Sequence, residues 1–428
     1  MSFFLQGCLY SEKYLYFCSQ TSSKAMTTLK ILFWACLILV FYTYLGYGIV
    51  LYLLLKIKNI FGKKAFDPIL PLEEHLYPDV TLMICAYNEE EVIREKMENI
   101  RQLDYPKDKL CVMWVTDGSN DHSNELLSEY KDITLVFSPE RRGKAAAMQH
   151  GLKENKNDIV VFTDANTMLN AESIKEIVRL FMRKDVGCVS GEKRVMARQA
   201  AASAANGSSQ VAAEGEGIYW KYESTLKRWD SDLYSALGAA GELFAVRMSV
   251  YEAAPSNALL DDFMISMLIL KKGYKIAYTN KAYAMEYGSA NMEEESKRKR
   301  RIAAGGLQSI WWLRSLMNPL KYPMVSFQFV SHRVLRWSVT PFAMLALIPL
   351  NVALVFMKAG TIYTVIWILQ ILFYLGAFIG YWLSTKGRKN KLLYVPYYFL
   401  FMNLNVFRGI NYLRSHQQSG TWEKAKRG

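Results

Sequence analysis

Three stretches of this 428-residue chain run without a charged residue for 25, 21 and 27 positions: 31–55, 337–357 and 359–385. An α-helix needs about 20 apolar residues to cross the hydrocarbon core of a bilayer. Each stretch is therefore expected to be a transmembrane helix. The alternative is a very apolar core helix, but soluble helices of that length usually keep a polar face. The net charge of +13 is placed beside these stretches, at Lys56, Lys58, Lys63 and Lys64, at Lys386, Arg388, Lys389 and Lys391, and at Lys424, Lys426 and Arg427. That distribution follows the positive-inside pattern and argues for a lipid bilayer as partner, not for nucleic acid. It also predicts that the intervening residues are cytoplasmic. A fourth apolar stretch, 392–407, has only 16 uncharged residues and contains Pro396, Asn403 and Asn405. It is expected to be interfacial, re-entrant or buried in protein, since a full crossing would export the basic tail.

The resulting division is an N-terminal extension expected to be disordered (1–28), a transmembrane helix (29–57), a globular domain (76–305), interfacial amphipathic helices (306–335), transmembrane or re-entrant helices (336–410) and a cytoplasmic basic tail (411–428). The six cysteines include no C-x-x-C pair, and Cys85 and Cys111 read as small buried hydrophobes of a reducing compartment. The five histidines are scattered and none is assigned a catalytic role.

Within the globular domain, apolar runs alternate with helix-forming segments. Runs at 80–85, 110–115, 133–137 and 159–162 read as buried parallel strands, with helices between them. This rhythm predicts a doubly wound, Rossmann-like α/β sheet, in which ligands bind beyond the carboxyl ends of the strands. Polar clusters fall at those ends. Tyr87, Asn88 and Glu89 follow the first run, and Asp117 follows the second. Such carboxylates and amides either accept hydrogen bonds from a base and ribose or cap the next helix. Arg141, Arg142, Gly143 and Lys144 open a helix, a chemistry suited to a diphosphate. Asp164 and Asn166, two residues apart at a strand end, offer hard oxygens for a divalent cation, or form a turn. Asp261 and Asp262 precede an apolar helix, where a carboxylate either caps or acts as general base toward a sugar hydroxyl. Five consecutive cations, 297–301, lead into Trp311 and Trp312; they form a solvated face or neutralise a departing diphosphate.

In this order the motifs resemble those of the family 2 glycosyltransferases, in particular the membrane-integrated branch that includes cellulose, chitin, hyaluronan and poly-N-acetylglucosamine synthases. The resemblance covers residues 78–320 and the flanking spans. It implies a GT-A fold, inversion at the anomeric carbon, a nucleotide-sugar donor (a UDP-sugar) and a divalent metal, Mg2+ or Mn2+. By that resemblance Tyr87, Asn88 and Glu89 lie in the nucleotide loop, Asp117 reads the base, and Lys144 lies by the phosphates. Asp164 and Asn166 match the D-x-D metal element. Gly241 and Glu242 lie in the small-residue loop under the acceptor. Asp262 is the base and Asp261 its neighbour. Arg301 takes the arginine position of the Q-x-x-R-W motif, with Arg298 and Arg300 beside it, and Trp422 resembles a tail tryptophan of this branch.

The chain departs from the pattern in three places. Asn166 replaces the second aspartate, which implies weaker metal affinity. Arg298 and Ile302 replace the glutamine and tryptophan of Q-x-x-R-W, and the lost tryptophan removes an aromatic acceptor platform. Residues 200–210 form a low-complexity stretch, expected to be a mobile loop before Trp220, Tyr222 and Glu223. Those aromatics face the acceptor, the membrane or the core. The expected reaction is sugar transfer to a growing polysaccharide or other acceptor at the cytoplasmic membrane face. One alternative is non-processive transfer to a lipid-linked or short oligosaccharide acceptor. The other is a catalytically silent nucleotide-binding subunit of an export complex with accessory subunits.

Overall fold

The computed structural model describes residues 23–62, 73, 76–196, 207–289, 292–386 and 390–415. The low-complexity stretch before residue 207, Trp422 and most of the basic tail lie outside the described residues, as do residues 1–22 of the expected N-terminal extension.

The sheet is built from β1 (Val80–Ala86), β2 (Leu110–Asp117), β3 (Thr134–Ser138), β4 (Ile159–Asp164), β5 (Met168–Leu169), β6 (Val186–Met196), β7 (Leu243–Arg247) and β8 (Lys275–Tyr287). Their order is β3-β2-β1-β4-β7-β6-β8-β5. The first four strands pair in parallel, as the continuous apolar runs predicted, whereas β7 is antiparallel to both β4 and β6. The sheet is thus mixed, and its second half was not readable from strand length alone.

Helices α2 (Glu90–Arg101), α3 (Ser123–Ser128), α4 (Lys144–Glu154) and α5 (Ser173–Phe181) alternate with these strands, and α6 (Gly207–Leu233) follows β6. Helix α7 (Asp261–Lys271) is buried at every position from Phe263 to Leu270. Burying each such apolar side chain contributes about 1.5–3 kcal/mol. It packs with Met83, Val115, Phe162 and Phe244 on one face of the sheet. Ile93 and Met97 of α2 and Ile174, Ile177 and Val178 of α5 cover the other face, over Leu82, Ile84 and Trp114.

Three helices are long and apolar enough to cross a membrane: α1 (Ser23–Ile60), α9 (Pro323–Phe356) and α10 (Thr361–Thr385). Ile31, Ile38, Leu369, Leu372 and Phe378 on α1 and α10 are exposed, as lipid-facing side chains would be. Helix α1 is already formed at Ser23, inside the segment expected to be an extension. Helix α8 (Met292–Trp312) runs unbroken across residue 305, where the sequence suggested a domain boundary. Helix α9 begins at Pro323 because the cations that interrupt its apolar sequence, Arg333 and Arg336, are buried against protein carboxylates. The last helix, α11 (Lys391–Ser415), continues through Pro396 and packs against α8 and α10. An added Cβ at Gly409 would meet Ala303 Cβ at 2.7 Å and the Ala304 backbone N at 2.9 Å, so only glycine permits that α8–α11 approach.

Candidate active site

Strand register aligns the polar clusters. Cys85 of β1 pairs with Val115 on one side and with Asp164 on the other, so the ends of β1, β2 and β4 share one edge. Asn88, at φ +53°, turns the chain out of β1. Its side chain exchanges two hydrogen bonds with Asn120: Asn88 Nδ2 donates to Asn120 Oδ1 (2.6 Å), and the Asn120 N–H donates to Asn88 Oδ1 (2.9 Å). The Glu89 N–H donates to Ser123 Oγ at 2.9 Å. The two loops are therefore one surface, roofed by the Arg141 guanidinium 3.8 Å from the Tyr87 ring centroid.

Asp117 is buried, and its carboxylate accepts the backbone N–H of Arg142 (2.9 Å) and of Gly143 (2.7 Å). It thereby fixes the basic loop whose Arg141 lies over Tyr87. Gly143, at φ +93°, leads into α4, whose first residue, Lys144, reaches Asp164 Oδ1 at 2.5 Å. Burial would lower the Lys144 pKa, but Asp164, then Asp261 and Asp262, hold it above its ordinary value. One ammonium thus feels the charge of all three carboxylates.

Asp262 is half-buried in the first turn of α7. Burial, then the charge of Asp261, raises its carboxyl to about 7 against the opposing pull of Lys144. Asp261 Oδ2 is buried without a hydrogen-bond partner. The loop before β7 lies against this helix. Gly238 has φ +87°, and an added Cβ there would come 2.1 Å from the Phe263 ring; the Gly241 backbone abuts Asp262 Oδ2. Glu242 is buried and accepts from Lys193 Nζ (2.8 Å) and Arg298 Nη2 (3.3 Å). Burial would raise the Glu242 pKa, but those two cations hold it well below the usual carboxylate range. Glu242 and Arg298 are thus partners of each other.

The other basic residues of α8 divide. Arg301 is half-buried, one turn beyond Arg298 and one before Gly305, whose Cα side faces Leu259 and Leu260 ahead of Asp261. Gln308 clamps the same loop, accepting the Leu259 N–H at 3.0 Å and donating to Asn257 O at 3.0 Å. Arg300 turns away, 5.4 Å from the Tyr412 ring centroid on α11, and so stands at a helix contact.

Asp164 and Asn166 present oxygens of the kind a hard divalent cation takes. Asn166 spends its amide nitrogen on Glu286 Oε1 (3.5 Å), which leaves its oxygen for a ligand. Among the described residues, no group of three or more His, Cys, Asp or Glu side chains is gathered to hold a metal. The two oxygens of the pair fit a hard divalent cation.

Several buried charged residues around these loops carry no motif. Lys96 of α2 is fully buried behind the Asp164 turn and donates to Thr167 O and to Thr163 Oγ1 (3.3 Å). Burial lowers it to about 7, opposed by Asp164. Against α9, Glu223 of α6 is ion-paired with Arg333 Nη1 (2.6 Å) and accepts from Arg336 Nη1 (2.8 Å). His332 bridges Asp230 (2.6 Å) and Glu223 (3.4 Å). Arg333 also donates from Nε and Nη2 to Leu237 O (3.2 and 3.0 Å), next to Gly238. These cations lie in a π-helical stretch, Val330–Val339, that meets a second one in α1, Tyr42–Gly46, through Tyr42–Ser331 (2.7 Å) and Thr43–Thr340 (2.9 Å) hydroxyl pairs. A charged residue inside an apolar run was the one signal available for this cluster.

Residues 78–305 match the family model described as "Glycosyltransferase like family 2". The "Probable glycosyltransferase YdaM" of Bacillus subtilis (strain 168) is 26% identical over 220 residues, 49% of this chain and 50% of that protein. The "Poly-beta-1,6-N-acetyl-D-glucosamine synthase" of Staphylococcus aureus (strain COL) is 24% identical over 261 residues, 58% of this chain and 60% of that protein. The matches thus span about half to three-fifths of these curated relatives. In fold, the chain is similar to the mannosyltransferase PcManGT from Pyrobaculum calidifontis, solved with GDP-Man and Mn2+. The TM-score is 0.65 at 20% identity, covering 90% of this chain and 99% of that one.

Proposed function

The chain belongs to the family 2-like glycosyltransferases, and on that premise we propose that it transfers a hexosyl group, with inversion, from a UDP-sugar to a growing polysaccharide or other sugar acceptor at the cytoplasmic face of a membrane. The observation that carries the reading is Lys144, bonded to Asp164 at 2.5 Å while it feels the charge of Asp261 and Asp262. Donor-side and acceptor-side groups are then within reach of one reacting centre.

In this reading the Asn88–Asn120 surface and Asp117 hold the nucleoside. Lys144 and Arg301 bind the diphosphate and stabilise the charge it gains as it leaves. Asp164 and Asn166 would hold Mg2+ or Mn2+, which would supply further neutralisation of that charge. Asp262 takes the proton of the acceptor hydroxyl, and the oxygen attacks the anomeric carbon from the face opposite the diphosphate. A carboxyl raised to about 7 is well matched to that task at neutral pH. The Gly238–Glu242 loop, set from below by Arg333, shapes the acceptor side. Three candidate spans and the basic residues beside them support the membrane placement.

Non-processive transfer is favoured as a second reading by Ile302, which stands where an aromatic platform would hold a growing chain. The test is a screen of UDP-sugars with purified protein and Mn2+, with product length from a labelled donor and anomeric configuration by NMR. An inverted anomer is expected. Retention, or no transfer or donor hydrolysis with any nucleotide sugar, contradicts the proposal.

A further inference from the structure

Lys227 lies on α6 between Glu223 and Asp230 and is 5% exposed. Among the described residues it has no hydrogen bond and no ion pair. Its ammonium stands 5.5 Å from the Trp220 ring centroid. Other buried cations nearby are matched to carboxylates: Lys193 to Glu242 and Glu286, Arg298 to Glu242, and Arg333 and Arg336 to Glu223. Lys227 is within charge range of Glu223, Glu242 and Asp262, as well as Arg333. Glu223 and Glu242 are already taken by other cations, and Asp262 is the remaining carboxylate whose charge acts on Lys227. A nearly buried ammonium matched to no carboxylate of its own is costly to keep charged, and an anion from outside the chain that reached its accessible tip would offset that cost.

We propose that Lys227, with Trp220 beside it, forms an acceptor subsite that takes a phosphate group carried by the acceptor. The inference rests on the functional reading above and extends it by naming an acceptor class. A lysine ammonium is a compact point charge suited to phosphate. Burial, and then Arg333, lowers the Lys227 pKa, so an arriving phosphate stabilises its charged form. The subsite adjoins the junction of α6 with two candidate membrane helices, α1 and α9, where Tyr47, Arg333 and Arg336 meet Asp230 and Glu223. That position suits a phosphate presented from a lipid surface as well as one on a soluble sugar.

Purified protein in neutral detergent is first saturated with UDP and Mn2+, which blocks the diphosphate site. It is then titrated with dodecyl phosphate, with inorganic phosphate and with dodecanol, by calorimetry and by thermal unfolding. A phosphate probe should bind and raise the unfolding midpoint, while dodecanol should not. Lys227→Met should weaken phosphate binding about tenfold or more, and Lys227→Arg should restore it to within about threefold of wild type. Binding of dodecyl phosphate alone identifies a lipid headgroup; equal binding of inorganic phosphate identifies a soluble phosphorylated acceptor. If UDP binds wild type but neither phosphate probe does, or if Lys227→Met keeps wild-type affinity, the subsite is wrong while the functional reading stands. If UDP itself fails to bind, the functional reading falls first. Should Lys227→Met not fold, the wild-type and Lys227→Arg titrations decide the matter.

Discussion

At the carboxyl edge of the sheet, charged groups are held so that a ligand can reach them. Lys144 and Asp164 are bonded to each other yet remain partly exposed, and backbone N–H groups fix the loop around them through Asp117. At the junction of α6 with α1 and α9, Glu223, Asp230, His332, Arg333 and Arg336 are all buried and ion-paired with one another. A half-exposed pair can exchange partners with a diphosphate at small cost. A buried cluster cannot, because removing one member strands the rest in a low dielectric. In our proposal the first arrangement serves chemistry and the second geometry: Arg333 ties α9 to Leu237, next to Gly238.

The largest expected effect follows from that contrast. Glu223→Ala should destabilise the protein by about 3–5 kcal/mol, since it leaves Arg333 and Arg336 without their carboxylate. Thermal unfolding in detergent checks this; a wild-type midpoint would break the distinction. Asp164→Ala should do the reverse, lowering transfer about 10²-fold or more while folding persists. Initial rates and the unfolding midpoint, read on the same sample, separate the two.

A third effect concerns pH. The Asp262 carboxyl is raised in the folded protein to about 7, far above its ordinary value near 4. The folded state therefore binds the proton more tightly than the unfolded state. This group's contribution to stability is fully present below about pH 4 and is lost as pH rises through about 7. Asp262→Asn should flatten the stability profile in that window and make the protein relatively more stable above it, as followed by unfolding across pH. The smallest effect is expected at Arg300, whose contact with Tyr412 is worth about 0.5–1 kcal/mol. Arg300→Ala should leave transfer within about twofold of wild type on the strength of that weak contact. A large loss of donor affinity would return Arg300 to the diphosphate site.

The gathering of polar residues at the sheet edge was legible because its information is local. Asn88, Asp117, Lys144 and Asp164 each follow or precede a recognisable element, and a parallel sheet brings strand ends to one edge. The candidate membrane spans were legible for the same reason, as unbroken apolar runs. The junction was not. Glu223 and His332 are 109 positions apart, and nothing in either neighbourhood announces the other. The start of α9 was misplaced because Arg333 and Arg336 look like the end of an apolar segment until their buried partners are known. The scattered histidines hid His332 for the same reason. The antiparallel insertion of β7 between β4 and β6 escaped because a five-residue strand carries no mark of its direction.

The account depends most on Asp262 acting as the base within reach of the donor. The direct test is the pH dependence of single-turnover transfer for wild type and Asp262→Asn, at saturating donor. Wild type should lose activity as pH falls through about 7, where the carboxyl becomes protonated, and Asp262→Asn should lose both that limb and about 10²-fold or more in rate. A variant that transfers sugar at the wild-type rate with the same acid limb would contradict the account.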